Sequence, residues 1–403
     1  ATTGVGTIQA IDAETDANGV SKAVWTLGPA PADYSASVIV PETGSATFKA
    51  TAIYDPQAPL PVIGSALTSA AESPVTGIYV HGDLAFVGGT SVGYQTTGNV
   101  GVRILDLSDP AHPLLVGRIP LRTRDYSGRI AAGSAVATRV ESGHFQGDLA
   151  VVLEGVPDSF STAEWPQPYG VWDVTDPVRA SLLSAFQLGN QPLGYGSTGE
   201  LGDKPHLSKA VAGHHLFALY QRGVWADREQ GLAIVDLSDP FHPSVVGDWE
   251  GAEGVAFLSM SINEGGTRAY LAGVWPPFWG TSATHGYLFV IDTSDPTNPI
   301  ELGNISFPLR GTPSSMFSNT VSRDESRLVL ADGSWGASGE NGILNIFDIS
   351  DPTAISKIST VSLPESEGWG NTMATDAVLR GNLMFSAWLA AGVRATDLSD
   401  PAN

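Results

Sequence analysis

The sequence predicts an all-β chain whose larger part is a six-bladed β-propeller, preceded by a short sandwich-like segment. Three observations predict it: one phrase recurs six times, glycine and proline are abundant, and the strand missing after the last copy stands ahead of the first. The 46 Gly and 27 Pro in 403 residues are too many for a mainly helical protein and suit short strands joined by tight turns. A hydrophobic share of 42% is enough for one large β domain and a small one.

The recurring phrase reads VRILDLSDP ending at Pro110, YGVWDVTDP at Pro177, LAIVDLSDP at Pro240, LFVIDTSDP at Pro296, LNIFDISDP at Pro352 and VRATDLSDP at Pro401. Its first aspartates are Asp106, Asp173, Asp236, Asp292, Asp348 and Asp397. Each copy is an apolar, β-branched run that makes a buried strand, followed by Asp-x-Ser/Thr-Asp, whose side chains close a turn on the backbone. Proline then stops the ladder. A second apolar stretch follows, as in HPLLVGRIPL from His112, and a hairpin precedes, as in VTGIYVHGDLAFVGG from Val75. Four strands per unit of roughly 50–65 residues make one propeller blade.

The ends decide between a ring and a solenoid. The sixth copy reaches Asn403 just after its Asp-Pro turn, and residues 55–67, DPQAPLPVIGSAL, match DPAHPLLVGRIPL at 109–121 without a preceding strand. Closure by strand exchange produces this pair of orphans and leaves no open edge. The expected propeller therefore spans residues 53–403, with its sixth blade completed by residues 57–67.

With those residues in view, the chain resembles the LVIVD-repeat propeller family of bacterial and archaeal surface proteins over roughly residues 55–403. The resemblance implies export and an extracellular or cell-surface setting, and no reaction. Blade two departs most, with YGVWDVTDPVRASLL after a long insertion.

Residues 1–52 alternate in the β manner in SASVIV and TFKATA and carry the turn TDANGV. TDANGVSKAVWTLGP and GSATFKATA resemble the second half of an invasin/intimin-type bacterial immunoglobulin-like domain. Such a sandwich takes about seven strands in roughly 100 residues, and this partial Ig-like segment has room for about half of them. Its open faces need covering by more of a longer chain, by the propeller, or by strands lent from another subunit. In the last case copies would join head to tail into a filament or a ring.

A net charge of −22 repels phosphate backbones and argues against nucleic acid as a partner. The absence of cysteine removes disulfides, Cys-based zinc sites and thiol nucleophiles. No stretch approaches the ~18–20 consecutive apolar residues of a membrane span. The opening ATTGVGTIQA lacks the basic and apolar regions of a signal peptide, so any export signal is expected to lie outside these residues.

Little in the sequence reads as catalysis. No G-x-S-x-G, H-E-x-x-H or phosphate-cradling glycine loop is present. His112 and His242 share one repeat position and read as turn structure. His214 and His215 sit in the hairpin turn AGHHLF, and neighbours on a strand point to opposite faces, which argues against a shared ligand role. His81, His144, His206 and His285 are scattered. Asp12, Glu14, Asp16 and Asn18 offer oxygens for Ca²⁺ without the EF-hand spacing, and turn chemistry explains them more simply. No catalytic residue and no cofactor are predicted, and Ca²⁺ is the ion these oxygens would take.

Loop length carries the clearer signal. Short turns gather at one end of the blades, and long connections gather at the other. The second-to-third loops carry Tyr94, Trp165, Trp225, Trp275, Trp279 and Trp335, and the blade-to-blade loops carry Tyr126, Tyr195 and Trp369. Such aromatics either anchor partners or sugars, or plug their loops onto the blades. The expected function is a non-enzymatic extracellular structural or adhesion protein binding copies of itself, surface proteins or glycans. The alternative is a secreted hydrolase or lactonase with a metal at the central channel. One sequon, Asn304-Ile305-Ser306, permits glycosylation.

Overall fold

A computed structural model of the chain describes residues 2–3, 7–10, 23–26, 32–40 and 44–52, then 75–89, 101–120, 132–155, 169–186, 188, 209–222, 229–275, 284–309, 315–333, 342–363, 374–388 and 392–400. The chain divides into two compact units, Ala1–Pro61 and Val62–Asn403. In the first, β1 (Thr2–Thr3), β4 (Ala32–Val40) and β5 (Gly44–Ala52) form a sheet in the order β1-β4-β5, and β2 (Thr7–Ala10) pairs with β3 (Ala23–Thr26). The alternating SASVIV and TFKATA runs are the two arms of the β4–β5 hairpin. The immunoglobulin-like sandwich stays an expectation for this unit.

The second unit is a six-bladed β-propeller in which each blade is an antiparallel meander in chain order. Blade one is β6 (Val75–His81), β7 (Leu84–Gly89), β8 (Gly101–Asp106) and β9 (Leu114–Pro120). Blade two is β10 (Ala132–Glu141), β11 (Gln146–Gly155), β12 (Tyr169–Asp173) and β13 (Ser181–Phe186), and blade three is β14 (Lys209–Ala212), β15 (His215–Arg222), β16 (Glu229–Asp236) and β17 (Ser244–Glu250). Blade four is β18 (Ala256–Ile262), β19 (Arg268–Trp275), β20 (His285–Asp292) and β21 (Ile300–Pro308). Blade five is β22 (Ser315–Val321), β23 (Arg327–Gly333), β24 (Ile343–Asp348) and β25 (Ser356–Ser362), and β26 (Ala374–Arg380), β27 (Leu383–Trp388) and β28 (Gly392–Asp397) belong to blade six.

The third strand of each blade is the recurring phrase, and its continuous apolar run has a packing reason. Alternate residues of a strand face opposite sides, and in blades two to five both sides are covered by neighbouring blades. In β16, Ala233 and Val235 pack toward blade two with Val151, Tyr169 and Leu216, whereas Leu232 and Ile234 pack toward blade four with Phe257, Leu271 and Phe289. Five such cores join consecutive blades from one to six. No sixth core joins blades six and one among the described residues. Ile78 and Val80, on the side of blade one turned from blade two, are 66% and 56% exposed, and Val378 and Val393 of blade six are 41% and 60% exposed. The closing strand expected at 57–67 lies outside the described residues.

A β-bulge sits at one place in five blades. The register of the third and fourth strands slips between Ile104 and Leu105, Val171 and Trp172, Ile234 and Val235, Val290 and Ile291, and Ile346 and Phe347. The extra residue in the outer strand is Val116, Leu183, Val246, Leu302 or Ile358, and each packs into the core shared with the following blade. The next residue is small because the following blade's Asp-Pro turn rests on it. A Cβ on Gly117, Gly247 or Gly303 would run into the carbonyl oxygen of Pro177, Pro296 or Pro352, and at the same place in blade two the Ser184 hydroxyl donates to the Pro240 carbonyl at 2.6 Å.

The turns that make this contact are held by their aspartates. The first Asp accepts the N–H two residues on, from Ser108, Thr175, Ser238, Ser294, Ser350 and Ser399, at 2.8–3.0 Å. The second does the same for Ala111, Val178, Phe241, Thr297 and Thr353 at 2.9–3.1 Å. Between them, the amides of Leu107, Val174, Leu237, Thr293, Ile349 and Leu398 donate to carbonyls in their own blade's first hairpin. Polar clasps then link hairpins across blades: the Glu325 carboxylate accepts from Asn263 at 2.8 Å and from Arg268 and Tyr270 at 3.0 Å. Glu325 has φ 54, a left-handed conformation unusual for a non-glycine residue, held here by those three contacts.

Replacing Gly303 separates close packing from simple loss of chain freedom. Gly303→Val forces a branched side chain against a backbone carbonyl and is expected to cost about 1–3 kcal/mol or more, whereas Gly303→Ser, whose Cβ meets the same carbonyl but whose hydroxyl can donate to it as Ser184 does in blade two, is expected to cost less. Urea denaturation of the two variants measures the difference, and equal losses would contradict the seat.

Candidate functional site

The strand ends sort the propeller into two unlike faces. One carries the first hairpins and the Asp-Pro corners, which are described up to Asp400 and tied by the bonds above. At the other end lie the strand ends that the sequence joins through 90–100, 121–131, 156–168, 187–208, 223–228, 276–283, 310–314, 334–341, 364–373 and 389–391, which apart from Leu188 lie outside the described residues; the link 251–255 is described. Of the nine aromatics expected on that second face, Trp275 falls within the described residues. Tyr94, Tyr126, Trp165, Tyr195, Trp225, Trp279, Trp335 and Trp369 lie outside them, as do Asp12, Asp16 and Asn18.

Trp275 ends β19 and is 45% exposed. It pairs with His285 across the ladder, and its indole nitrogen lies over Gly254, whose φ is +78° and whose Cβ would come within 3.0 Å of it. The nitrogen edge of the ring thus lies against the link between blades three and four, and the side chain is part exposed. Thr284 and His285, both exposed, share a 2.9 Å hydrogen bond beside it. Asn304 is exposed on the outer strand β21, and its amide nitrogen donates to Glu301 at 2.6 Å.

Sequence reasoning missed Lys209. It pairs with Ala218 in the first-to-second ladder of blade three, the place occupied by Ala135, Met260, Asn319 and Ala377 in blades two, four, five and six. Those four are buried, so blade three puts an ammonium where the others put small, apolar or neutral groups. Desolvation pulls the Lys209 ammonium down to about 7. The signal was available: aligning the first strands by their distance from the hairpin turn isolates the lysine. On the same interface, the Tyr169 hydroxyl is buried without a hydrogen-bond partner, and burial pushes it up.

On the corner face, histidines gather at blade three. The expectation that His214 and His215 diverge is corrected. His214 lies in the two-residue turn after Gly213 (φ +54°) and not in a strand, so strand alternation does not govern it. Their rings are 4.3 Å apart, and His214 Nε2 stands 3.9 Å from Asp236 Oδ1. His215 pairs with Asp236 across the ladder. Burial, then the neighbouring His214, holds the His215 imidazole below its usual range, against the pull of Asp236. His242 Nδ1 meets Asp239 Oδ2 at 2.9 Å, and His112 holds Asp109 alike at 2.8 Å in blade one. His144, in the hairpin of blade two, adds to the positive field on Asp239.

The LVIVD repeat is matched over residues 75–120, 225–250 and 283–306, so the chain carries LVIVD repeats. No curated protein matches the sequence. Among solved structures, a protein from Lactobacillus plantarum is similar at 11% identity over 90% of this chain and 98% of that one, with a TM-score of 0.45. The Dos1 propeller is similar at 12% identity over 80% and 68%, with a TM-score of 0.47. The periplasmic gluconolactonase of Pseudomonas aeruginosa is similar at 11% identity over 88% of each chain, with a TM-score of 0.43.

The corner aspartates give the stability a pH signature. The Ser108 amide holds the Asp106 carboxyl below its usual range, the Ser294 and Ser350 hydroxyls do so for Asp292 and Asp348, and the Thr297 and Thr353 hydroxyls do so for Asp295 and Asp351. A carboxyl depressed in the folded state contributes stability that is complete above its unfolded value of about 3.9 and is lost as pH falls through the folded value. Scanning calorimetry is therefore expected to show a melting temperature that falls as pH drops below about 4. A melting temperature unchanged from about pH 5 to 3 would contradict this.

Proposed function

We propose that the protein is a non-enzymatic extracellular binding scaffold whose loop-bearing face engages other copies, surface proteins or glycans, with the first unit acting as a connector. The observation that supports this reading is the inequality of the two faces. The corner face repeats one hydrogen-bonded geometry in every blade. At the opposite end the sequence joins the strands through its longer connections, and Trp275, the one of the nine expected aromatics among the described residues, stands part in solvent. Long loops on a rigid frame are where recognition is usually placed, and Trp supplies large contact area at low entropic cost.

In the same reading, residues 57–67 complete blade six, the Ig-like segment is completed by a neighbouring chain, and adhesion or head-to-tail assembly follows from that exchange. The net charge of −22 suits a surface that stays dispersed outside the cell.

Glycan arrays and sedimentation of the full chain test the reading together. Trp275→Ala is expected to weaken the glycan binding or self-association observed by about tenfold or more, while Phe241→Ser, at an exposed corner position, leaves it unchanged. Loss confined to the corner variant, or turnover of a lactone by the purified chain, would overturn it.

A further inference from the structure

The blade-three corner differs from the other five in what it places around its carboxylate. In each blade one residue of the second strand, its first residue in every blade except blade two, pairs with the first Asp of the corner. That residue is Leu84, Leu149, His215, Arg268, Arg327 and Leu383 in turn. The residue just before it is Asp83, Asp148, His214, Thr267, Ser326 and Asn382, in the hairpin turn in every blade except blade two, where Asp148 lies in β11. Blades four and five thus set a guanidinium against Asp292 and Asp348. A guanidinium is a permanent cation and donates no lone pair. Blade three sets an imidazole there and adds a second from the turn.

We propose that His214, His215 and Asp236 form a site for a divalent transition-metal ion of the Zn²⁺ class. One ligand atom from each lies within 4.8 Å of the others. Donors on one tetrahedral zinc, each about 2.0–2.2 Å from it, stand roughly 3.4 Å apart. Closing the difference takes about an ångström of movement, which the exposed His214 ring supplies by rotating about its own side-chain bonds.

The carboxylate is already oriented for the task. Asp236 accepts the Ser238 N–H at 2.8 Å on Oδ1 and the Ser238 hydroxyl at 2.9 Å on Oδ2. Two hydrogen bonds leave about two of its four lone-pair positions for a metal, and bonds of this kind fix a ligating carboxylate in place. The Leu237 amide, donating to the His214 carbonyl at 2.8 Å, pins the turn to the same corner. Two imidazoles and one carboxylate suit zinc, cobalt, nickel or copper and not calcium or magnesium, which take oxygen donors. Three protein ligands leave a coordination position for water or a ligand. His242 is engaged with Asp239 and stands outside the set.

The test is titration of the tag-free full chain with Zn²⁺ by calorimetry and with Co²⁺ by visible absorption, where tetrahedral coordination gives strong bands. One saturable equivalent is expected, weakened at least tenfold by His214→Ala and unchanged by His242→Ala. His215→Arg recreates the pairing of blades four and five, so it is expected to keep the fold by circular dichroism while losing the metal. Absence of saturable binding, or binding indifferent to His214→Ala and His215→Arg, would overturn the proposal.

Discussion

The propeller depends on one recurring contact, in which the carbonyl of the Asp-Pro turn of blades two to five rests on the bulged outer strand of the blade before it. The bulge performs two tasks together. It turns one extra apolar residue, such as Val246 or Leu302, into the core shared with the next blade, and it brings a glycine or serine under the neighbouring turn. The turn in turn is fixed by its two aspartates and by the amide that ties it to its own hairpin. A blade thus cannot shift against its neighbour without disturbing a corner, a bulge and a hydrophobic core together.

Much of this was legible in the sequence because it is local. Asp-x-Ser/Thr-Asp-Pro announces its turn within a few residues, and the continuous apolar run before it follows from burial on both faces. The bulge was not legible, because it depends on how two strands register. The column of small residues was visible in principle: Gly117, Ser184, Gly247, Gly303 and Ser359 each stand at the same distance after the second Asp of their corner. The segment 55–67 has Ile63 at that distance and Gly64 next, so a closing strand drawn from it keeps the small residue only with one more residue in its turn.

The site was less legible, for two physical reasons. Strand alternation was applied to His214, which belongs to a turn where a left-handed glycine resets the direction of the chain. Lys209 is unremarkable in a window of sequence and stands out only when six first strands are superposed on their hairpins. Of the nine loop aromatics, Trp275 alone falls among the described residues, and repetition is no guide to connections whose sequences vary from blade to blade. The two faces therefore carry different kinds of information: the corners report the frame, and the departures from repetition report what is particular to this chain.

Hydrogen exchange at the corners tests the frame most directly. If the corners lock the blades, the amides of Leu107, Val174, Leu237, Thr293, Ile349 and Leu398 exchange as slowly as the buried third strands and in the same cooperative step. Corner amides that exchange orders of magnitude faster than Ile104, Ile234 or Ile346 would show that the cores alone hold the blades together.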